Sequence, residues 1–126
     1  MNEKEFKQRT FQIALKAIQL VETLPQNRTS EVIGKQLIRS ATSVGANYRS
    51  ACRGKSTADV IHKLSIVEEE ADETIYWLEL IVESGLLPLE KVTKLKSEIN
   101  EILAMTVASI KTLRLKSQTH TSKSKI

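Results

Sequence analysis

Apolar residues return every three or four positions in four separate stretches of the chain, the spacing that gathers them on one face of a helix. The first stretch, Lys4 to Leu24, carries Phe6, Ile13, Ala14, Ala17, Ile18, Val21 and Leu24 on that face. Pro25 stops it, and Gln26 to Thr29 reads as a loop. Ser30 is placed to cap the second helix, with Glu31 in its first turn. That helix runs to about Arg53 on a stripe of Ile33, Leu37, Ala41, Val44, Tyr48 and Ala51, and Gly54 suits a left-handed stop. Ser56 caps the third helix three residues before Asp59, a carboxylate version of the capping box.

The third helix, Thr57 to Ser84, alternates Val60, Leu64, Val67, Ala71, Ile75, Leu78 and Val82 at spacings of four and three, a bundle seam. Gly85 ends it, and Pro88 fits the first turn of the fourth. There Val92, Leu95, Ile99, Ile102, Thr106, Ile110 and Leu113 repeat the seam to about Lys116. Short loops between long helices force antiparallel neighbours. The pattern therefore predicts an all-α, antiparallel up-down-up-down four-helix bundle over residues 1–116. Residues 117–126 are polar and basic with no period, and a disordered tail is expected there.

Composition narrows the picture in the same direction. A chain of 126 residues suits one domain, and 4 Gly, 2 Pro and few aromatics exclude a sandwich or barrel. The single Cys52 can form no intramolecular disulfide and no zinc cluster. The N-terminal stretch is charged and has no signal-peptide core. No apolar run approaches the ~20 residues that span a membrane, so a cytoplasmic protein with no membrane partner is expected. No Gly-rich phosphate loop or nucleophile elbow occurs.

The net charge of +4 hides a division: residues 57–84 carry −7, so the rest carries +11. On the second helix, Lys35, Arg39, Arg49 and Arg53 project roughly opposite the core stripe. That face is either an ordinary solvated one or a stripe that tracks nucleic-acid phosphates. The scarcity of aromatics argues against base-stacking recognition of single strands. On the third helix Glu68 falls near the seam, where a half-buried acid paired with Arg or Lys is expected. Ile66, Trp77 and Leu80 project away from the seam and are predicted to form an outer oligomer interface.

Metal chemistry has thin support. Asp59 and His62 share the spacing of a di-iron element but point away from the seam with no second copy. Glu68, Glu69, Asp72 and Glu73 resemble the magnesium-binding run of helical nucleotide pyrophosphohydrolases, but need a second acidic helix, which Glu98 and Glu101 would have to supply. No metal, cofactor or catalytic residue is therefore expected, and Cys52 reads as a small packing residue.

The run Gln36-Leu37-Ile38-Arg39-Ser40 and then Ser43-Val44-Gly45-Ala46-Asn47-Tyr48-Arg49 resembles the second helix of the four helix bundle protein family, also called the 23S rRNA-intervening-sequence protein family. Asp59 to Leu64, Glu69 to Thr74 and Tyr76-Trp77-Leu78 continue the likeness, which covers about Phe6 to Arg114. Ser50 departs from it, since many relatives carry Glu after the Arg that closes this motif. The resemblance implies a bacterial up-down bundle that assembles as a homo-oligomer, a pentameric ring, some members being encoded inside insertions in 23S ribosomal RNA genes. It also implies kinship with the accessory variability determinant of diversity-generating retroelements, a basic pentamer that binds nucleic acid and a reverse transcriptase. No enzymatic activity comes with it. The expectation is a non-enzymatic oligomer that binds structured RNA (rRNA) or DNA through Lys35, Arg39, Arg49 and Arg53, helped by Lys116, Lys123 and Lys125. The alternatives are a scaffold for a protein partner and a metal-dependent nucleotide hydrolase using Glu69 and Asp72.

Overall fold

Four helices carry the chain in a computed structural model that describes residues 1–124, with side chains through Gln118. They are α1 (Glu3–Glu22), α2 (Arg28–Cys52), α3 (Thr57–Glu83) and α4 (Leu89–Ser124). Consecutive helices pack on one another, and α4 closes the square against α1. This is the expected antiparallel four-helix bundle, with no strand among the described residues. No helix among them is long and apolar enough to cross a membrane.

Local chemistry sets most of the helix ends. Asn2 caps α1, its side chain accepting from the Glu5 N–H at 2.9 Å. Asn27, not Ser30, caps α2, accepting from the Ser30 N–H at 2.8 Å. Ser30 thus sits in the first turn and is buried. Ser56 caps α3 as expected, while Asp59 reaches back to the Lys55 N–H at 3.1 Å. Gly85 ends α3 with φ +80, and the Leu86 N–H closes on the Ile81 carbonyl at 3.0 Å, a Schellman turn. Gly54 does not take the left-handed conformation expected of it. It is small because Val60 leaves no room: a Cβ there would stand 2.4 Å from Val60 Cγ2.

The main core joins Phe6, Ile13, Ala17, Ile33, Leu37, Ala41 and Val44 to Val67, Ala71, Leu78, Ile81, Val92, Ile99 and Ile102. A smaller cluster at one end holds Ala51, Leu64 and Ile110, with Tyr48, Val60, Ile61 and Leu113 packed on it. Ile18, expected inside, is exposed, whereas Thr74 and Ile81, off the predicted seam, are fully buried. The Thr74 hydroxyl meets the Ser40 hydroxyl at 2.9 Å, so a polar contact joins α2 to α3 inside the core. Helix α4 continues past Lys116 to Ser124, a stretch with no Gly or Pro to stop it. Residues 125 and 126 of the expected tail lie outside the described residues.

Candidate nucleic-acid interface

The four cations singled out on α2 have separate fates. Arg39 is engaged within the chain at the α2–α3 surface: Nη1 bonds Glu70 Oε2 at 2.9 Å, Nη2 pairs with Glu73, and Nε donates to Gln36 Oε1 at 3.1 Å. Arg49 lies over the Phe11 ring, 5.6 Å from its centroid, a cation–π contact that leaves the charge at the surface. Lys35 and Arg53 are exposed, but 18 residues of helix separate them by about 27 Å. No single stripe brings all four together for one ligand.

Glu68 is half-buried as expected but has no ion partner among the described residues; its neighbours Glu70 and Glu73 hold that role. Similar pairs tie the other helices: Lys16 to Glu98 at 2.6 Å, Arg9 to Glu101, and Lys96 to Glu79 at 3.6 Å. Glu98 and Glu101 therefore face cations of α1. Among the described residues no three His, Cys, Asp or Glu side chains stand close enough to hold a metal.

Where these pairs stop, a cationic end begins. There α2 finishes, α3 starts and α4 packs Ile110 and Leu113 on Leu64 and Val60. Arg53 and Lys55 stand in the α2–α3 turn, Lys63 on α3, and Lys111, Arg114 and Lys116 on α4. None of the six has a carboxylate partner among the described residues. Sequence reasoning found Arg53 here and used Lys116 as tail, but missed Lys63, Lys111 and Arg114, because only the packing of α4 on α3 reveals them as neighbours in level. The side chains of Lys123 and Lys125 lie outside the described residues.

A cavity of about 570 Å³ opens at this same end, where α1 begins. Its apolar wall is Ala51, Val60, Leu64 and Leu113; Ser109 and Thr112 add hydroxyls on the α4 side. Glu3, Tyr48 and Cys52 supply the remaining polar groups. The Cys52 thiol bonds to Glu3, and with Lys7 at 3.3 Å it holds that carboxyl below the usual carboxylate range. Burial pushes the Cys52 thiol up, and the bond to Glu3 adds to this, so it is no activated nucleophile. Burial also raises Tyr48, whose ring lies 4.2 Å from that of Phe6.

The α3 residues expected at an oligomer interface are less exposed than the helix projection predicts. Trp77 and Leu80 are half-buried against the main core, and Ile66 is half-buried as well. The row Glu70, Glu73 and Trp77 runs along the flank that α2 covers, as the Arg39 pairs show. A projection measured from one seam places that flank outside; in a square bundle each helix has two covered flanks. The Trp77 indole N–H is buried without an acceptor, while Tyr76 beside it is exposed. The exposed apolar row is on α1 instead: Phe11, Leu15 and Ile18 are 50%, 37% and 38% exposed. They border a groove of about 350 Å³ whose other wall is Thr42, Gly45, Ala46 and Arg49 of α2.

Comparison with known proteins agrees with this architecture. A crystal structure from Bacteroides thetaiotaomicron, of a protein with unknown function from the S23 ribosomal protein family, superposes with a TM-score of 0.81. It is 34% identical and covers 88% of this chain and 99% of its own. No curated protein matches. The family model of the 23S rRNA-intervening sequence protein matches residues 2–108. With that span and this identity, the chain belongs to the 23S rRNA-intervening sequence protein family.

Proposed function

We propose that the protein is a non-enzymatic homo-oligomer that holds structured RNA or DNA by its phosphates at the cationic end of the bundle. The observation behind this reading is the division of the cations. Arg9, Lys16, Arg39 and Lys96 pair with acids across helix contacts. Arg28, Lys35, Lys91 and Lys94 of the far end, unpaired among the described residues, stand among Glu22, Glu31, Glu83 and Glu90, whereas Arg53, Lys55, Lys63, Lys111, Arg114 and Lys116 outnumber the acids at theirs, with Asp59 beside them. Charge of one sign without internal partners attracts a polyanion and displaces its counterions. Arg49 joins this set from the adjoining turn of α2, Arg39 drops out, and Lys35 belongs to the far end.

Binding of a structured RNA between about 50 and 200 mM salt tests the reading. Each phosphate contact contributes about 0.9 to the slope of log affinity against log salt. Reversing Arg53, Lys55 and Lys63 to Glu should weaken binding on every sequence and flatten that slope. No affinity at low salt, or an unchanged slope after reversal, ends the proposal.

Self-association rests on the α1 row. Three large apolar side chains one turn apart, beside a groove walled by Thr42, Gly45, Ala46 and Arg49, form the kind of exposed patch that contacts another surface. A second copy of the chain is the proposed occupant, in the five-membered ring that the family resemblance implies. A different protein on the same face is the scaffold alternative, and the sedimentation mass of the purified protein separates the two.

A further inference from the structure

Two surfaces of the chain match each other step for step. On α2, Lys35, Thr42 and Arg49 recur every seven residues, which on a helix makes one row with a step of about 10 Å. Thr42 and Arg49 line the groove between α1 and α2, and Lys35 continues their row beyond it. Both cations are exposed, and neither has a carboxylate partner among the described residues. On α3, Glu69, Tyr76 and Glu83 recur at the same step and are all exposed. The two acids have no ion partner among the described residues. One row reads cation, small residue, cation; the other reads acid, aromatic, acid.

The surroundings of each row extend the match. The sequence has no Asp or Glu from Phe6 to Val21 or from Val32 to Arg53, so the α1–α2 face is basic and apolar. It has no Lys or Arg from Leu64 to Glu83, and Asp72 adds a further exposed acid one turn before Tyr76. Tyr76 is 56% exposed, and its ring stands edge-on to Trp77, with centroids 5.1 Å apart and planes at 76°. Trp77 packs on the core, so it holds the tyrosine as a fixed projection. Tyr is among the residues that dominate binding energy at interfaces. The groove is about 350 Å³ with a mostly apolar wall, room for one aromatic side chain.

We infer that the groove of one copy receives Tyr76 of a second copy opposite Thr42, with Glu69 and Glu83 lying on the two cations Arg49 and Lys35. This rests on the self-association reading above and names the other half of that contact. Both rows are symmetrical about their centres, so the match holds for either direction of the second α3. Helices α1 and α3 do not pack on each other and stand at opposite corners of the square, so groove and tyrosine lie on different sides of one chain. The contact is therefore heterologous: every copy gives one half and takes the other, and repetition yields a ring or a filament. Docking occupies Arg49 and leaves the six cations at the end of the bundle open to nucleic acid.

Sedimentation over a range of protein concentrations tests the pairing. Tyr76→Ala should weaken assembly about tenfold or more and leave the helical circular dichroism unchanged, since its side chain is largely exposed. Lys35→Glu/Arg49→Glu and Glu69→Lys/Glu83→Lys should each lower the mass. A chain carrying all four reversals should regain it, because the two rows are then complementary again; a loss of fold would give no such rescue. Indifference to Tyr76→Ala, or no rescue by the fourfold reversal, overturns this pairing and leaves self-association through the α1 row standing. A wild-type protein of monomer mass overturns both.

Discussion

Arg39 separates a structural cation from a binding one, and Arg39→Ala measures the difference. In the native bundle its guanidinium contacts Glu70, Glu73 and Gln36, bridging α2 to the most acidic part of α3. The Arg39 side chain is 45% exposed, and those of Glu70 and Glu73 are 18% and 37% exposed. A fully exposed pair contributes about 0–1 kcal/mol. Breaking a buried one costs about 3–5 kcal/mol, because a charge is left unpaired in low dielectric. This three-charge network lies between the limits and nearer the first. Its loss also leaves Glu70 and Glu73 beside Glu69 and Asp72 with no cation between them. We expect Arg39→Ala to cost about 1.5 kcal/mol. With a urea m-value of about 1.5 kcal/mol/M, the midpoint falls by about 1 M. Circular dichroism in urea reads this directly, and 1 M NaCl should shrink the difference by screening. RNA affinity should hold within twofold once the protein is folded. Arg53→Ala should do the reverse, changing stability by less than about 0.5 kcal/mol while weakening binding. In a Glu70→Gln/Glu73→Gln background Arg39→Ala should cost little. If Arg39→Ala leaves the midpoint unchanged and reduces affinity as much as Arg53→Ala, the ion-pair reasoning is refuted and the stripe on α2 acts as one surface.

Three further outcomes follow from the same geometry. Leu15→Glu on the exposed α1 row should lower the sedimentation mass without lowering the urea midpoint, whereas Trp77→Glu should lower the midpoint, because Trp77 packs on the core; a wild-type protein that sediments as a monomer would count against the α1 face. Gly85→Ala should destabilise by about 1 kcal/mol in thermal unfolding, purely through its positive φ, since no atom stands within 4 Å of the added methyl. Tyr48 and Cys52 both have raised pKa values in the fold, so the unfolded chain ionises first as pH rises. The stability they contribute is intact below about pH 9 and is lost as pH climbs beyond it, and Tyr48→Phe should lose less between pH 9 and 11 in urea titrations than wild type.

Much of the bundle can be read from the chain because a helix buried along one stripe repeats its pattern faithfully. Ile33, Leu37, Ala41, Val44 and Ala51 on α2, and Val92, Leu95, Ile99, Ile102, Thr106 and Ile110 on α4, are buried where the periodicity places them. The errors cluster where one stripe is an incomplete description. Helix α3 touches both α2 and α4, so its buried arc includes Thr74 and Ile81 and half covers Trp77 and Leu80. Helix α1 buries a narrower arc than its apolar residues would allow, so Ile18 joins Phe11 and Leu15 outside. Periodicity gives the direction of a stripe; its width depends on how much of the helix its neighbours cover.

The charges obey the same logic one level up. Summed by helix, α3 is acidic and the rest of the chain basic, which suggests polarity across the bundle. Folding places the α3 acids against Arg39 and Lys96, so much of that contrast is neutralised at helix–helix contacts. The remainder is redistributed along the axis. Apart from Asp59 in its first turn, the acids of α3 run from Glu68 onward, while α2 finishes in Arg49 and its C-cap Arg53 and α4 passes the start of α3 with Lys111, Arg114 and Lys116. The antiparallel connection brings these three basic segments to one level. Neither the net charge nor the charge of any single helix encodes that arrangement. It arises from register, the level at which α4 lies against α3, which Ile110 on Leu64 sets through packing alone. A shift of α4 by one heptad would keep every apolar contact type and move its cations about 10 Å along the axis, dispersing the end on which nucleic-acid binding is proposed.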